Sequence, residues 1–195
     1  MVCHVRARSN NGRRTAALLA VMAMVVPLAS GCSLLGGLSG QGLKSAQVMT
    51  VTSPVFASDL AIPPQYTCRG AGLSPPLYWS GAPQAGATKS FAIVVDDSEA
   101  PISPYVYWIV FDINPATTVV PQNQLPPLAR RALNSRGKVS YDPPCPAGQR
   151  HLYRFTVYAL NAMLRLPNGA GLRETWSAIA RHVIGIGRLT AFANP

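Results

Sequence analysis

The stretch Ser90–Ile113, two strongly apolar runs joined by a short acidic segment, limits the possible folds of this chain more than any other feature. The runs Phe91–Val95 and Tyr105–Ile113 are rich in β-branched and aromatic residues and are shorter than a typical helix. Each therefore predicts a β-strand buried on at least one face. The acidic segment between them carries Asp96, Asp97 and Glu99. Carboxylates at the end of a core strand are costly unless they are solvated, paired or used, so this segment is either a solvated turn or the rim of a site.

The first 31 residues have the three-part pattern of an export signal. A basic segment precedes the apolar run Thr15–Ala29, which is shorter than the roughly 20 residues that a membrane span needs. The small residues before Cys32 resemble a bacterial lipobox, whose cysteine is acylated, for example with palmitate; the alternative is an ordinary cleaved signal. We predict a lipoprotein signal peptide at 1–31, lipidation of Cys32 and a flexible tether at 32–47. The protein is then exported and anchored by lipid to the outer face of the cell membrane or envelope.

The net charge of +10 does not indicate a nucleic-acid partner. Four of the 17 basic residues lie in the leader, which leaves 13 basic against seven acidic residues in the rest of the chain. The local basic cluster consists of Arg130, Arg131, Arg136 and Lys138. Aromatic residues are not interleaved with this cluster, as they are in nucleic-acid-binding surfaces, so we expect no such partner.

Two cysteines remain once Cys3 in the leader and the lipidated Cys32 are set aside. In an exported domain, the remaining pair of Cys68 and Cys145 favours a disulfide. A metal site would need more ligands than these two thiols and His151 supply, so no metal ion is expected.

Residues 48–195 have the pattern of a single mainly β domain. Besides the two central runs, strands are predicted at Val48–Val51, through the aromatic pair Tyr78 and Trp79, and at Tyr153–Leu160, where apolar and polar residues alternate. The proline-rich stretch 114–150 is predicted to be a long surface excursion.

One amphipathic helix is predicted near the C-terminus. The residues on its apolar stripe are Leu172, Trp176, Ile179, Val183 and Ile186. Gly185 and Gly187 are expected to end this helix, with a last strand at Leu189–Phe192. The whole pattern predicts a mainly β fold with one C-terminal helix.

Several segments, taken in order, resemble the phosphatidylethanolamine-binding protein family in its bacterial branch. These segments are FAIVVDDSEAP, YVYWIVFDI and PPCPAGQRHLYRFTVYAL, supported by YTCRGAGLSPPLYWSG and AIARHVIGIGRL. The resemblance implies an antiparallel β-sandwich with a C-terminal α-helix. It also implies a small surface cavity that accepts an anionic group such as the phosphate of a phospholipid headgroup.

The same resemblance implies a set of ligand-binding residues. They are Asp97, Ala100, Pro101, Tyr107, Pro144, His151 and Tyr153. Tyr107 stands where the family has a histidine, so a charge-assisted hydrogen bond to phosphate would be replaced by a neutral one. Leu152 replaces an arginine, and Pro143 lacks the N–H of the family's glycine. Asp142 adds a negative charge that would oppose an anion. We therefore predict a cavity, lined by Tyr107, Trp108, His151 and Tyr153, that binds phosphate weakly.

The leading functional prediction is a lipid-anchored binding protein of the cell envelope with a pocket for a small anionic or neutral ligand. The alternative is an inhibitor of an extracytoplasmic protease, or of another protein partner, through the same surface. We do not expect an enzyme, because no G-x-S-x-G or H-E-x-x-H motif accompanies Asp97 and His151. No cofactor is expected.

Overall fold

The structure, a computed structural model, describes residues 45–97, 99–100 and 104–195. The predicted signal peptide, the lipidation site Cys32 and all but the end of the predicted tether lie outside these residues. The described strands are β1 (Gln47–Thr52), β2 (Leu60–Ala61), β3 (Leu77–Ser80), β4 (Ser90–Asp97), β5 (Tyr105–Ile113), β6 (Val119–Val120), β7 (Arg130–Arg131), β8 (His151–Leu160) and β9 (Val183–Ala193), with helix α1 (Leu172–His182) before β9. The prediction of a mainly β fold with one helix near the C-terminus is confirmed.

The described strands form one curled, mixed sheet in the order β6-β3-β1-β9-β8-β4-β5-β7, with β2 paired to β9. The prediction of an antiparallel β-sandwich is confirmed only in part, because the sheet is mixed: β1 and β2 both run parallel to β9. The physical reason is that the last strand inserts between the first strand and β8. Parallel neighbours need a long crossover, and almost the whole domain supplies it here.

The centre of the sheet is covered on both faces, which explains why β4 reads as an unbroken apolar run. Every residue of β4 is buried. Phe91, Ile93 and Val95 belong to the larger core, together with Phe155 and other residues of β8. The alternate residues of β4 join a second, smaller core that packs under α1. Asp96 and Asp97 follow this alternation and so point to opposite faces.

The helix is shorter than predicted. It ends at His182, and the chain continues directly into the eleven-residue strand β9, so Val183 and Ile186 are strand residues. Gly187 does not end a helix. A Cβ at this position would lie 2.8 Å from the Met49 carbonyl oxygen, so glycine here allows β1 to approach β9 closely. Trp176 is also not a core residue, since 40% of it is exposed.

The excursion 114–150 is held by specific bonds and adds two short strands at the sheet edges. The Asn134 side chain organises its middle: Oδ1 accepts hydrogen bonds from the N–H groups of Arg136 and Lys138, and Nδ2 donates to the Ser140 carbonyl. The predicted disulfide is confirmed, as Cys68 and Cys145 are bonded across a separation of 77 residues. Within the described residues, no helix is long and apolar enough to cross a bilayer.

Candidate functional site

The candidate site lies where β4 ends and β8 begins. The sheet register places Asp97 between Tyr105 of β5 and Tyr153 of β8. Asp97 is 2% exposed, and its Oδ2 lies 2.7 Å from Nδ1 of His151, whose side chain is 17% exposed. The backbone N–H of Glu99 donates to the other carboxylate oxygen of Asp97 at 2.8 Å. Both oxygens of this buried carboxylate therefore have partners, as burial requires.

The Asp97 contact orients the His151 ring. A carboxylate can only accept a hydrogen bond, so Nδ1 of His151 carries the proton that is donated to it. The second ring nitrogen, Nε2, is then the atom left for a ligand, as an acceptor in the neutral ring or a donor in the charged one. Asp97 thus acts on a ligand through the histidine that it positions.

Tyr107 enters the site through a β-bulge in β5. Val95 pairs with Trp108 and Asp96 pairs with Val106, so Tyr107 is the extra residue. Its ring packs edge-to-face on Tyr153 with centroids 5.2 Å apart. Burial raises the pKa of Tyr107 to about 12, so its hydroxyl stays a neutral hydrogen-bond donor at physiological pH.

Tyr153 supplies the least satisfied polar group of the site. The residue is fully buried, and its hydroxyl makes no hydrogen bond of normal geometry to the described residues, although the Tyr107 hydroxyl lies close to it. Burial also raises its pKa far above the usual value, so the hydroxyl keeps its proton. Leaving such a group unpaired costs about 1–3 kcal/mol. A ligand oxygen that displaced the side chains covering this hydroxyl would be a favourable partner for it.

The predicted effect of Asp142 needs correction. This residue is buried, and its Oδ2 accepts a hydrogen bond from the Tyr105 hydroxyl at 3.2 Å and lies 3.3 Å from Nε of Arg136. The ion pair reduces the repulsion that Asp142 would exert on an anion. Sequence reasoning missed Tyr105 and Arg136 as parts of the site. The only available signal for Arg136 was its place in the basic cluster.

The other predicted residues are placed as follows. Ala100 is partly exposed beside the site, and Pro101 lies outside the described residues. Pro144 is buried against the disulfide, where its carbonyl accepts a hydrogen bond from the Cys68 N–H. The Leu152 N–H donates to Oε2 of Glu99 at 2.7 Å, so Glu99 ties the acidic segment to β8. Asp97, Tyr107, His151 and Tyr153 are thus the predicted residues that the structure brings together.

Asp96 belongs to a different environment on the helix side of the sheet. Both of its carboxylate oxygens bind the Arg154 guanidinium, through Nε at 3.0 Å and through the Nη2 nitrogen. This pair lies at a cavity of about 400 Å³ that Leu172 and Trp176 also line. The three carboxylates of the acidic segment therefore have three different roles. None of the described residues forms a group of three or more His, Cys, Asp or Glu side chains that could hold a metal ion.

Comparison with known proteins agrees with this architecture. The family model described as "Phosphatidylethanolamine-binding protein" matches residues 52–193. The UPF0098 protein Rv1910c of Mycobacterium tuberculosis is 44% identical over 154 residues, covering 78% of this chain and 72% of the relative. LppC of the same species, named as a candidate lipoprotein, is 42% identical over 147 residues, covering 74% of this chain and 72% of the relative.

Two crystal structures are similar in fold. One is CT736 of Chlamydia trachomatis, titled as a phosphatidylethanolamine-binding protein homologue, with a TM-score of 0.70 and 31% identity over 76% of this chain and 98% of the other. The second is YbcL of Escherichia coli, titled as a member of the mammalian family of the same kind, with a TM-score of 0.70 and 26% identity over 75% of this chain and 98% of the other.

Proposed function

The chain belongs to the phosphatidylethanolamine-binding protein family, and from this premise we propose that it is a lipid-anchored binding protein of the cell envelope. Its ligand is a small neutral or weakly anionic molecule that carries an acceptor oxygen. The observation that carries the proposal is the buried hydroxyl of Tyr153, which makes no hydrogen bond of normal geometry within the described residues, beside the Asp97–His151 pair.

The donors of the site support this ligand class. The Tyr107 and Tyr153 hydroxyls are both kept protonated by burial, and each can donate one hydrogen bond. His151 adds Nε2 in an orientation set by Asp97. These tyrosine donors are neutral, so they can bind an acceptor oxygen that carries no charge. They lack the positive charge that would strengthen a hydrogen bond to an anion further.

A strong phosphate site would need more positive charge than these residues supply. Arg136 is committed to Asp142, and Pro143 has no backbone N–H to donate. The Asp97 carboxylate contacts His151 on the side of the ring opposite the nitrogen that would face a ligand, so its negative charge lies close to the site and opposes an anion. A phosphate dianion therefore gains little here beyond neutral hydrogen bonds.

Binding rather than catalysis is proposed for the Asp97–His151 pair. Among the described residues, His151 makes no hydrogen bond to a serine, threonine or cysteine that could act as a nucleophile. The alternative function, inhibition of an extracytoplasmic protease, is tested by measuring the activity of envelope serine proteases with and without the protein.

The ligand class is tested by NMR titration with two probes that share an ethanolamine group. N-acetylethanolamine offers a neutral acceptor oxygen, and O-phosphoethanolamine offers a phosphate. We expect saturable shifts with both, centred on Tyr107, His151 and Tyr153, with phosphoethanolamine no tighter than about 1 mM. Micromolar binding of phosphoethanolamine that is lost in His151→Ala would contradict the weakened anion site. Absence of shifts with both probes would contradict a binding site at this position.

The anchor is tested separately, because it is independent of the pocket. The name of the relative LppC supports a lipoprotein, and Cys32 is the residue that we propose to be acylated. Cys32→Ala should move the protein from the membrane fraction to the soluble fraction of the envelope. Unchanged membrane association would show that another feature holds it there.

A further inference from the structure

A second cavity lies on the sheet, and none of Asp97, Tyr107, His151 and Tyr153 lines it. Trp108, which was predicted to line the first site, lines this cavity instead. Its volume is about 260 Å³. The lining residues that matter here are Ser74, Trp108, Asn123, Gln124, Arg131 and Tyr141. Trp108 and Tyr141 form a stable aromatic wall, with rings packed edge-to-face and centroids 5.7 Å apart.

Arg131 is the unusual member of this set. Its Nε is buried and has no hydrogen-bond partner among the described residues. No carboxylate in the described part of the chain lies within ion-pair distance of its guanidinium. The neighbouring arginines differ, since Arg130 donates to the Leu166 carbonyl at 2.6 Å and Arg136 pairs with Asp142. This Nε is closed off from solvent, so a ligand in the cavity would meet the terminal Nη nitrogens, which also make no hydrogen bond to the described residues. An anion there would supply the counter-charge that the guanidinium lacks.

The position of Arg131 is set by its backbone and not by its charge. Its N–H donates to Oδ1 of Asn168 at 2.9 Å, and its carbonyl accepts a hydrogen bond from the Gly169 N–H at 2.7 Å. These bonds hold the residue in β7 at the edge of the sheet. The side chain is therefore presented to the cavity without a counter-charge of its own, which is the arrangement expected of a ligand-binding arginine.

The charge and polarity of the cavity select one class of anion. A single guanidinium fork matches a planar carboxylate through two parallel hydrogen bonds, whereas a phosphate dianion needs further positive charge. The remaining polar walls are neutral amide and hydroxyl groups from Ser74, Asn123 and Gln124. Such groups exchange hydrogen bonds with hydroxyl substituents of a ligand.

We propose that this cavity binds a small hydroxylated monocarboxylate, of the sugar-acid type, through a bidentate contact with Arg131. This site is independent of the one proposed for the acceptor ligand, and either can exist without the other.

The test uses gluconate as the probe and compares two adjacent arginines. Arg131→Met removes the charge and keeps the length of the side chain, and Arg130→Met makes the same change in charge at an exposed neighbour. We expect saturable gluconate binding by calorimetry at low salt, weakened at least tenfold in Arg131→Met and changed less than twofold in Arg130→Met. Equal weakening in both variants would mean that only the overall positive charge matters, and would overturn the proposal.

A measurement on the unmodified protein removes the dependence on folding of the variants. In a 15N-labelled sample, the Arg131 Nε–H and the Trp108 indole N–H should both shift with gluconate, and shift less with inorganic phosphate at the same ionic strength. His151→Ala should leave these shifts unchanged. Absence of a gluconate-dependent shift, or a larger response to phosphate, would refute a monocarboxylate site.

Discussion

Replacing Tyr153 by phenylalanine should stabilise the protein while weakening its ligand site. Tyr153 is fully buried, and its hydroxyl makes no hydrogen bond of normal geometry to the described residues, although the Tyr107 hydroxyl lies close to it. Folding therefore removes this group from water with little compensation. A buried unpaired hydroxyl costs about 1–3 kcal/mol, and its removal leaves a void of only one atom. We expect Tyr153→Phe to raise the free energy of unfolding by about 1–2 kcal/mol, or the melting temperature by roughly 2–6 °C.

Tyr66 provides a matched control for this change. It is equally buried, but its hydroxyl donates to Oε1 of Gln122 at 2.8 Å. Tyr66→Phe removes a satisfied hydrogen bond and should lower the free energy of unfolding by about 1 kcal/mol. The same chemical substitution is thus expected to have opposite signs at the two positions. Urea denaturation at pH 7, followed by tryptophan fluorescence with the disulfide intact, measures both values.

The pH dependence gives a second readout of the same group. Because burial raises the pKa of Tyr153, its ionised form is favoured only in the unfolded chain, whose tyrosines titrate near 10.0. This contribution to stability is complete below pH 10 and is lost as the pH rises further. Tyr153→Phe lacks the loss, so its advantage over the unmodified protein should grow by up to about 1.4 kcal/mol per pH unit above pH 10.

Destabilisation by Tyr153→Phe similar to that of Tyr66→Phe would refute the reasoning. It would mean that the Tyr153 hydroxyl is already satisfied in the free protein. The same result would remove the main support for an acceptor-bearing ligand at Asp97 and His151. Stabilisation without any loss of N-acetylethanolamine binding would separate the two claims and contradict the ligand role of Tyr153.

Three further predictions concern the disulfide, the bulge and the buried ion pair. The Cys68–Cys145 bond closes a loop of 77 residues, so its reduction should lower the free energy of unfolding by about 4 kcal/mol. Calorimetry with and without reductant measures this change, and a value below about 1 kcal/mol would contradict the prediction. Tyr107 stays neutral because its pKa is about 12, whereas a histidine at this position would titrate near pH 6.5. Tyr107→His should therefore bind phosphoethanolamine about fivefold more tightly at pH 5.5 than at pH 8, while the unmodified protein shows no such change. An equal pH response in both proteins would argue against Tyr107 as a contact. Arg154→Met should lower the free energy of unfolding by about 3 kcal/mol, because it leaves the buried Asp96, which is 3% exposed, without its counter-charge. The double variant with Asp96→Asn should recover much of this loss in the same denaturation assay. No recovery would show that the loss comes from packing and not from charge.

Local pattern was sufficient for the elements whose information lies within a few residues. The apolar runs of β4 and β5 and the alternation in β8 predicted central strands, and these strands form the middle of the sheet. The count of cysteines outside the leader was enough to predict the Cys68–Cys145 pair. The ordered motifs around Asp97 and His151 predicted the family, because several loose motifs in one order are more specific than any one of them.

Helix α1 shows where local pattern failed. Short apolar segments fit a helical and a strand period equally well, so Val183 and Ile186 were assigned to the helix. The structure places them in β9, where pairing with β1 and β8 outweighs the local preference. Trp176 was expected on the buried stripe, but the core under the helix is filled by Ala178 and Ile179, and the large ring is left half-exposed at a cavity.

By itself, then, the sequence was enough to predict the central strands of the Ser90–Ile113 stretch, the disulfide, the family and the grouping of Asp97 with Tyr107, His151 and Tyr153. Only the tertiary structure showed that Asp96 and Asp97 point to opposite faces of the sheet and that Arg136 forms an ion pair with Asp142. It also decided that the described residues place no carboxylate beside Arg131 at its cavity. The physical reason is that strand period and cysteine count are local properties. The partner of a buried charge is set by which distant segments fold against it.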